Sequence, residues 1–325
     1  MRSSLPKLNS HYVAIGKWII LGGMLYLAVK LVNLNEVIAT FAQISPLTLV
    51  SFLILVLLSK FFYAFRWYLI CTNGLSLHNV SNLFLLRINL LGEFVGIAMP
   101  SALGGEAVRA LKLNARTGRV GQTAASIVAD RLMGLVSLGL VVLVLLPKLG
   151  ASLVWPISLS SGNLLGGIVL SVAGFATTLF WLQRRTKRIR LPHTIQQLKL
   201  GFSSLTILVL LSIGGHLVFA SGYYLLFQEI QPFPILTITA LILTAQLAHI
   251  IPISMLGIGL SEGSTIALAN LIGMSPETAL AVVVIGLGAR YLFAISGLLI
   301  ELVYDGKAIL ETKAKRTGIT PESLQ

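Results

Sequence analysis

Long apolar runs separated by short polar joints recur along almost the whole chain. A helix needs about 20 mostly apolar residues to cross the hydrocarbon of a bilayer. Tyr12–Val32, Pro46–Ala64, Gln122–Leu146, Asn163–Leu182 and Ser203–Phe227 come close to that length or reach it, as does a last run opened by Ser275-Pro276-Glu277 and closed at Tyr304. Two further apolar stretches are broken in the middle. Val80–Met99 meets Pro100, Gly104 and Gly105 and resumes as a short helix over Glu106–Thr117; Ile235–Ile251 meets Pro252, Gly257 and Gly259 and restarts at Ser261-Glu262, stopping at Gly273. Pro147 to Gly162, rich in Ser, Gly and Pro, reads as a loop. Ser261 suits an N-cap, Glu262 the positive end of a helix dipole, and Pro276 the first position of the last helix.

Composition explains why these runs are spans and not cores. Of 325 residues 56% are hydrophobic and only 11% charged, and mean hydropathy is +0.90. Soluble domains carry about 25% charged residues, so the expectation is an all-α polytopic membrane protein forming one embedded domain over residues 1–325. The net charge of +13 follows from basic residues at span ends, which sit on the cytoplasmic side; nucleic acid is not an expected partner. One cysteine, Cys71, excludes an internal disulfide and a cysteine metal cluster, and the lone His216 and His249 are expected to be packed side chains. No metal or cofactor is expected.

Orientation then fixes the two broken stretches. Placing Arg66, the Arg109 to Arg119 helix, the Arg184 to Arg190 cluster and both tails (1–11 and 305–325) in the cytoplasm requires that residues 80–117 enter and return on that side. Residues 235–273 must enter and return from outside, because Gln228–Pro234 carries no Lys or Arg. The expected architecture is six spans plus two re-entrant hairpins in a plasma (inner) membrane, with both termini cytoplasmic. Both hairpins share one order: apolar helix, proline, glycines, glutamate (Glu106, Glu262), then a span holding an arginine (Arg131, Arg290). Two such units of opposite direction form an inverted repeat, and broken helices at matching places point to a site near the midplane.

Pro100 with Gly104-Gly105-Glu106 and Arg109, then Gly118, Asp130-Arg131-Leu132 and Gly134, make up a first motif block. Ile251-Pro252-Ile253-Ser254, Gly257, Gly259, Glu262-Gly263, Gly273 and Arg290 make up a second. On these blocks the chain resembles the transmembrane region of lysylphosphatidylglycerol synthases, a flippase-like family, from the second span to the last. The family usually has aspartate after the glycine pair; Glu106 keeps the carboxylate and adds a methylene. In bifunctional relatives this region moves aminoacylated phosphatidylglycerol between leaflets while a soluble domain makes it. With Gln325 soon after the last span, translocation without synthesis is what the resemblance implies.

An anionic headgroup moving through oil needs fixed positive charge in place of water. Arginine binds phosphate oxygens in pairs and stays charged, and buried ionisable residues in a membrane are functional candidates by default. Arg131, Arg290, Arg109 and Arg87 are therefore the candidate phosphate partners, and Glu106, Asp130, Glu262 and Glu93 the carboxylates that hold them when no lipid is bound. The expected function is flipping of an anionic lipid, aminoacyl-phosphatidylglycerol or a polyprenyl-phosphate conjugate, through a cavity between the hairpins. The alternatives are a membrane-embedded lipid-phosphate transferase, for which no nucleophile with a partnered base is visible, and a partner that stabilises a lipid-biosynthesis enzyme.

Overall fold

The computed structural model describes residues 34–77, 79–99, 103–151, 201–248, 254–255 and 258–317. The expected spans Tyr12–Val32 and Asn163–Leu182, the 184–190 cluster, His249 and the break residues Pro100, Pro252 and Gly257 lie outside these residues.

The described residues form α1 (Leu34–Gln43), α2 (Pro46–Leu69, prolonged by a π-helical turn Ile70–Gly74), α3 (Asn82–Ala98), α4 (Leu103–Thr117), α5 (Val120–Ala151), α6 (Phe202–Ile230), α7 (Ile235–Leu247), α8 (Leu260–Leu271) and α9 (Pro276–Thr317). A two-residue antiparallel pair, β1 (Ser254–Met255) and β2 (Ile258–Gly259), precedes α8. Four of these helical stretches are long and apolar enough to cross a membrane: Pro46–Gly74, Val120–Gly150, Phe202–Ile230 and Pro276–Tyr304. The protein is an all-α, multi-pass membrane protein.

Caps set several starts. Ser45 accepts from the Thr48 amide at 3.1 Å with Pro46 at the first turn, Ser81 from Phe84 at 3.3 Å, and Ser275 from Thr278 at 3.1 Å. Each satisfies an amide that the first turn leaves unpaired. Gly118 and Gly273 have φ of 66° and 84°, the left-handed geometry that closes a helix at low cost on glycine.

Other boundaries differ from the sequence reading. Helix α2 continues five residues past Ala64, to Leu69, because Arg66 and Trp67 face the protein interior, not a headgroup belt. Helix α5 starts at Val120 and runs through Pro147 to Ala151; proline inside a membrane helix costs one backbone hydrogen bond but does not forbid the helix. Gly104 and Gly105 are in the first turn of α4 and not in a break. They are glycines because the hairpin is tight. A Cβ on Gly105 would overlap the Gly92 carbonyl oxygen of α3, and one on Gly104 would lie 2.6 Å from Met99 Sδ. Ser261 is likewise inside α8, bonding Thr265 through its carbonyl at 2.9 Å, and is not its cap.

Both hairpins return to the side they left. Arg116, at the end of α4, donates to the Asn79 carbonyl just before α3 at 2.6 Å; Gln231 before α7 bonds Gly273 and Ser275 after α8, both at 3.5 Å. Helix α3 lies antiparallel to α9, since Leu90 meets Gly297 and Arg87 meets Glu301. The first hairpin therefore opens where α9 ends and the second where α9 begins. The hairpins also exchange partners: α3 packs on α9, and α7 packs on α5. On the axis of this exchange α2 and α6 run antiparallel, from Glu229 on Ser45 and Thr48 through Phe52 on Gly222 to Tyr63 on Gly215. Residues α2–α5 and α6–α9 thus form the two units of an inverted repeat.

Candidate functional site

The same contact occurs once in each unit. A glutamate in the first turn of the hairpin's second helix meets an arginine on the following span: Glu106 of α4 with Arg131 of α5, and Glu262 of α8 with Arg290 of α9 at 3.0 Å. Both carboxylates sit at the positive end of a helix dipole. Their surroundings, however, differ.

In the first unit the pair joins a closed network. Asp130 binds Arg66 of α2 through Nε at 2.9 Å and Nη2 at 2.8 Å, and its other oxygen lies 3.6 Å from Arg109. Arg109 also reaches Glu106 at 3.1 Å and stacks 4.3 Å over the Trp67 ring, whose indole N–H donates to Ser126 at 3.2 Å. Arg66 completes itself on Ser212 at 3.0 Å. The side chains of Arg66, Asp130 and Arg109 are only 5–6% exposed. Arg131, by contrast, is 59% exposed at the rim. Beside this network His216 accepts from the Tyr63 hydroxyl at 3.0 Å and donates to the Gly134 carbonyl at 3.2 Å; a carbonyl can only accept, which fixes the tautomer. The imidazole is packed, as its sequence context indicated, and among the described residues no cluster of metal ligands occurs.

In the second unit the pair faces an open cleft among α6, α7, α8 and α9, with about 380 Å³ of empty space including its mouth. Tyr223, Gln246, Ser261, Glu262, Thr265 and Arg290 give it a polar lining. A Cβ on Gly286 would overlap the Tyr223 hydroxyl, so glycine there lets the phenol reach in. The expected cavity lay between the two hairpins; this cleft is lined by the second unit alone.

The remaining candidates pair elsewhere. Glu93 holds Lys60 of α2 at 2.6 Å. Arg87 holds Glu301 of α9 at 3.0 Å and stacks 4.1 Å over Tyr304, and Lys112 holds the other oxygen of Glu301 at 2.6 Å. Arg109, Lys112 and Arg116 share one helical face, yet Arg109 is buried and does not snorkel to headgroups. The sequence reading gave Arg66 only the role of closing a span, and Lys60, Glu301 and Tyr223 none. A charge inside a greasy window was a usable signal for Lys60, which interrupts Pro46–Ala64; Glu301 and Arg66 sit at span ends, where a charge ordinarily needs no explanation.

Among known proteins, no curated protein and no solved structure matches the chain. The family profile described as "Lysylphosphatidylglycerol synthase TM region" matches residues 13–297, a stretch that takes in both hairpins and all four described spans almost entire. The chain belongs to that family.

Proposed function

We propose that the protein moves the headgroup of an anionic phospholipid between leaflets, with Arg290 as the phosphate partner in the cleft and Glu262 as the carboxylate that holds the guanidinium between passages. The observation that carries this reading is the Glu262–Arg290 pair, whose side chains, 10% and 29% exposed, open into a polar cleft. An arginine that is paired, reachable and deep in an apolar span can exchange a carboxylate for a phosphate, since both accept its N–H groups in the same bidentate way. The hydroxyls of Tyr223 and Ser261 supply further donors to phosphate oxygens.

Arg131, exposed and held by Glu106, is the matching partner at the first hairpin, nearer the other leaflet. Arg109 and Asp130 belong on this reading to the scaffold, because sealing Arg66, Asp130 and Arg109 together leaves no room for a ligand among them. The basic end of the bundle, with Arg116 and Arg119, faces the cytoplasm of the plasma membrane by the positive-inside rule, which puts the cleft on the outer side. The lipid is moved without chemical change.

Purified protein in liposomes containing labelled phosphatidylglycerol tests this. Transbilayer exchange is expected with the native chain and is expected to fall about tenfold or more with Arg290→Ala, the loss of a charge-assisted bond in the barrier. A modified lipid in the extract would establish an enzyme instead, and no exchange for phosphatidylglycerol, its aminoacyl esters or polyprenyl phosphates would leave support of a biosynthetic enzyme as the surviving role.

A further inference from the structure

Helix α9 carries Gly286, Arg290, Phe293, Gly297, Glu301 and Tyr304 at steps of three and four, which places them on one face. The contacts agree. Tyr223 lies on Gly286, Leu90 on Gly297, and Arg87 on both Glu301 and Tyr304. Between these, the Lys60 ammonium stands 5.5 Å from the centre of the Phe293 ring while donating to both oxygens of Glu93 at 2.6 and 2.7 Å. One face of one helix thus passes three ion-paired groups in sequence: Glu262–Arg290, Glu93–Lys60, and Glu301 with Arg87 and Lys112. At 1.5 Å per residue the stripe is about 27 Å long, close to the ~30 Å of bilayer hydrocarbon.

Exposure separates Lys60, Glu93 and Lys112 from the sealed Arg66–Asp130–Arg109 network, while Glu301, at 6%, is the buried end of the row. Lys60 is 15% and Glu93 35% exposed, and Lys112 is 33% exposed against 6% for both Arg66 and Arg109. The sealed network has what a scaffold needs; the row has what a passing ion needs. Lysine is also the apt cation for a middle station. Its ammonium is a point charge on a flexible stem, without the fixed fork that makes an arginine pair geometrically demanding.

We infer that this face of α9 is the track of the lipid headgroup, and that Lys60 with Glu93 forms a second anion-binding station on it, taking the phosphodiester of a glycerophospholipid between the Arg290 cleft and Glu301. The inference rests on the transport reading above. Station to station the distances are short: Phe293 is one turn, about 4.5 Å, from Arg290, and Glu301 about 12 Å further. Gly297 lies between the second and third stations, where a Cβ would come within 2.5 Å of the Leu90 carbonyl carbon. There α3 and α9 touch backbone to backbone, so the track is shut at that level and passage requires the two helices to part.

Photo-crosslinking with phosphatidylglycerol carrying a diazirine on its headgroup, in phosphatidylcholine vesicles, tests the station apart from transport. Label is expected on Lys60, Glu93 or Phe293 as well as in the cleft. Lys60→Met is expected to lose the middle label and slow exchange about tenfold while cleft labelling stays, and Lys60→Arg to restore both, which a merely structural ion pair would not require of the label. Label confined to the cleft in a protein that exchanges lipid overturns the station and leaves the transport reading standing. Label at Lys60 without any exchange overturns the transport reading and keeps the site. Should Lys60→Met fail to fold, the Lys60→Arg and Glu93→Gln proteins decide: Glu93→Gln frees the ammonium and is expected to raise middle labelling, and a fall would count against the station.

Discussion

Asp130 is where the architecture is most exposed to a single atom change. Asp130→Asn keeps the shape of the side chain but removes the charge that Arg66 and Arg109 share at 2.8 and 3.6 Å. It also turns an amide donor toward two donors. Arg109 retains Glu106 and the Trp67 ring, whereas Arg66 retains the Ser212 hydroxyl and the Tyr63 ring, 5.4 Å away, but no carboxylate. An uncompensated charge at about 5% exposure places this in the class of broken buried pairs, about 3–5 kcal/mol. The double change Arg66→Met with Asp130→Leu, which removes both charges, is expected to cost clearly less than the two single losses added together. Denaturant unfolding in micelles, followed by tryptophan fluorescence, measures it directly because Trp67 stacks on Arg109. A cost below about 1 kcal/mol for Asp130→Asn, or full additivity in the double variant, would refute the account of a sealed scaffold.

Four other outcomes follow from particular contacts. Gly105→Leu is expected to prevent the first hairpin from closing on Gly92, with a loss of at least about 1–3 kcal/mol in the same unfolding assay. Gly297→Leu is expected to force α3 from α9 and to be destabilising by a similar about 1–3 kcal/mol, while Gly288→Leu, beside which a Cβ meets nothing, serves as its tolerated control. Ser275→Ala removes the cap of α9 and is expected to cost about 1 kcal/mol. For topology, Cys71 is the one cysteine and is buried, so a reporter at Gln231→Cys is expected to label from outside intact cells and one at Thr117→Cys only after permeabilisation; labelling of both from one side would reverse the orientation.

Much of this architecture was legible in the chain because bilayers impose strong rules. Apolar run length gave the four described spans, the repeated order of proline, glycine, glutamate and arginine marked the two hairpins, and the placing of Lys and Arg gave their opposite directions. The repeated order also singled out Glu106, Glu262, Arg131 and Arg290 and gave the carboxylates the task of holding arginines, but which carboxylate meets which arginine came only from the structure. What the chain did not show was that Asp130 pairs with Arg66, Glu93 with Lys60 and Arg87 with Glu301, each across helices that lie far apart in sequence. Periodicity shows which face a residue is on, but not which helix covers that face. Gly104 and Gly105 were misread for a related reason: glycine marks either a broken backbone or a close crossing, and only the presence of Gly92 opposite decides. Pro147 shows the same ambiguity from the other side, as a breaker in water that a membrane helix absorbs.

The central claim is that Arg290 exchanges Glu262 for a lipid phosphate, and equilibrium binding of a fluorescent phosphatidylglycerol to the purified protein tests it with two variants. Removing the competitor, in Glu262→Gln, is predicted to tighten binding, while Arg290→Ala weakens it. If Glu262→Gln weakens binding as much as Arg290→Ala does, the two residues are a fixed structural pair and the exchange does not occur.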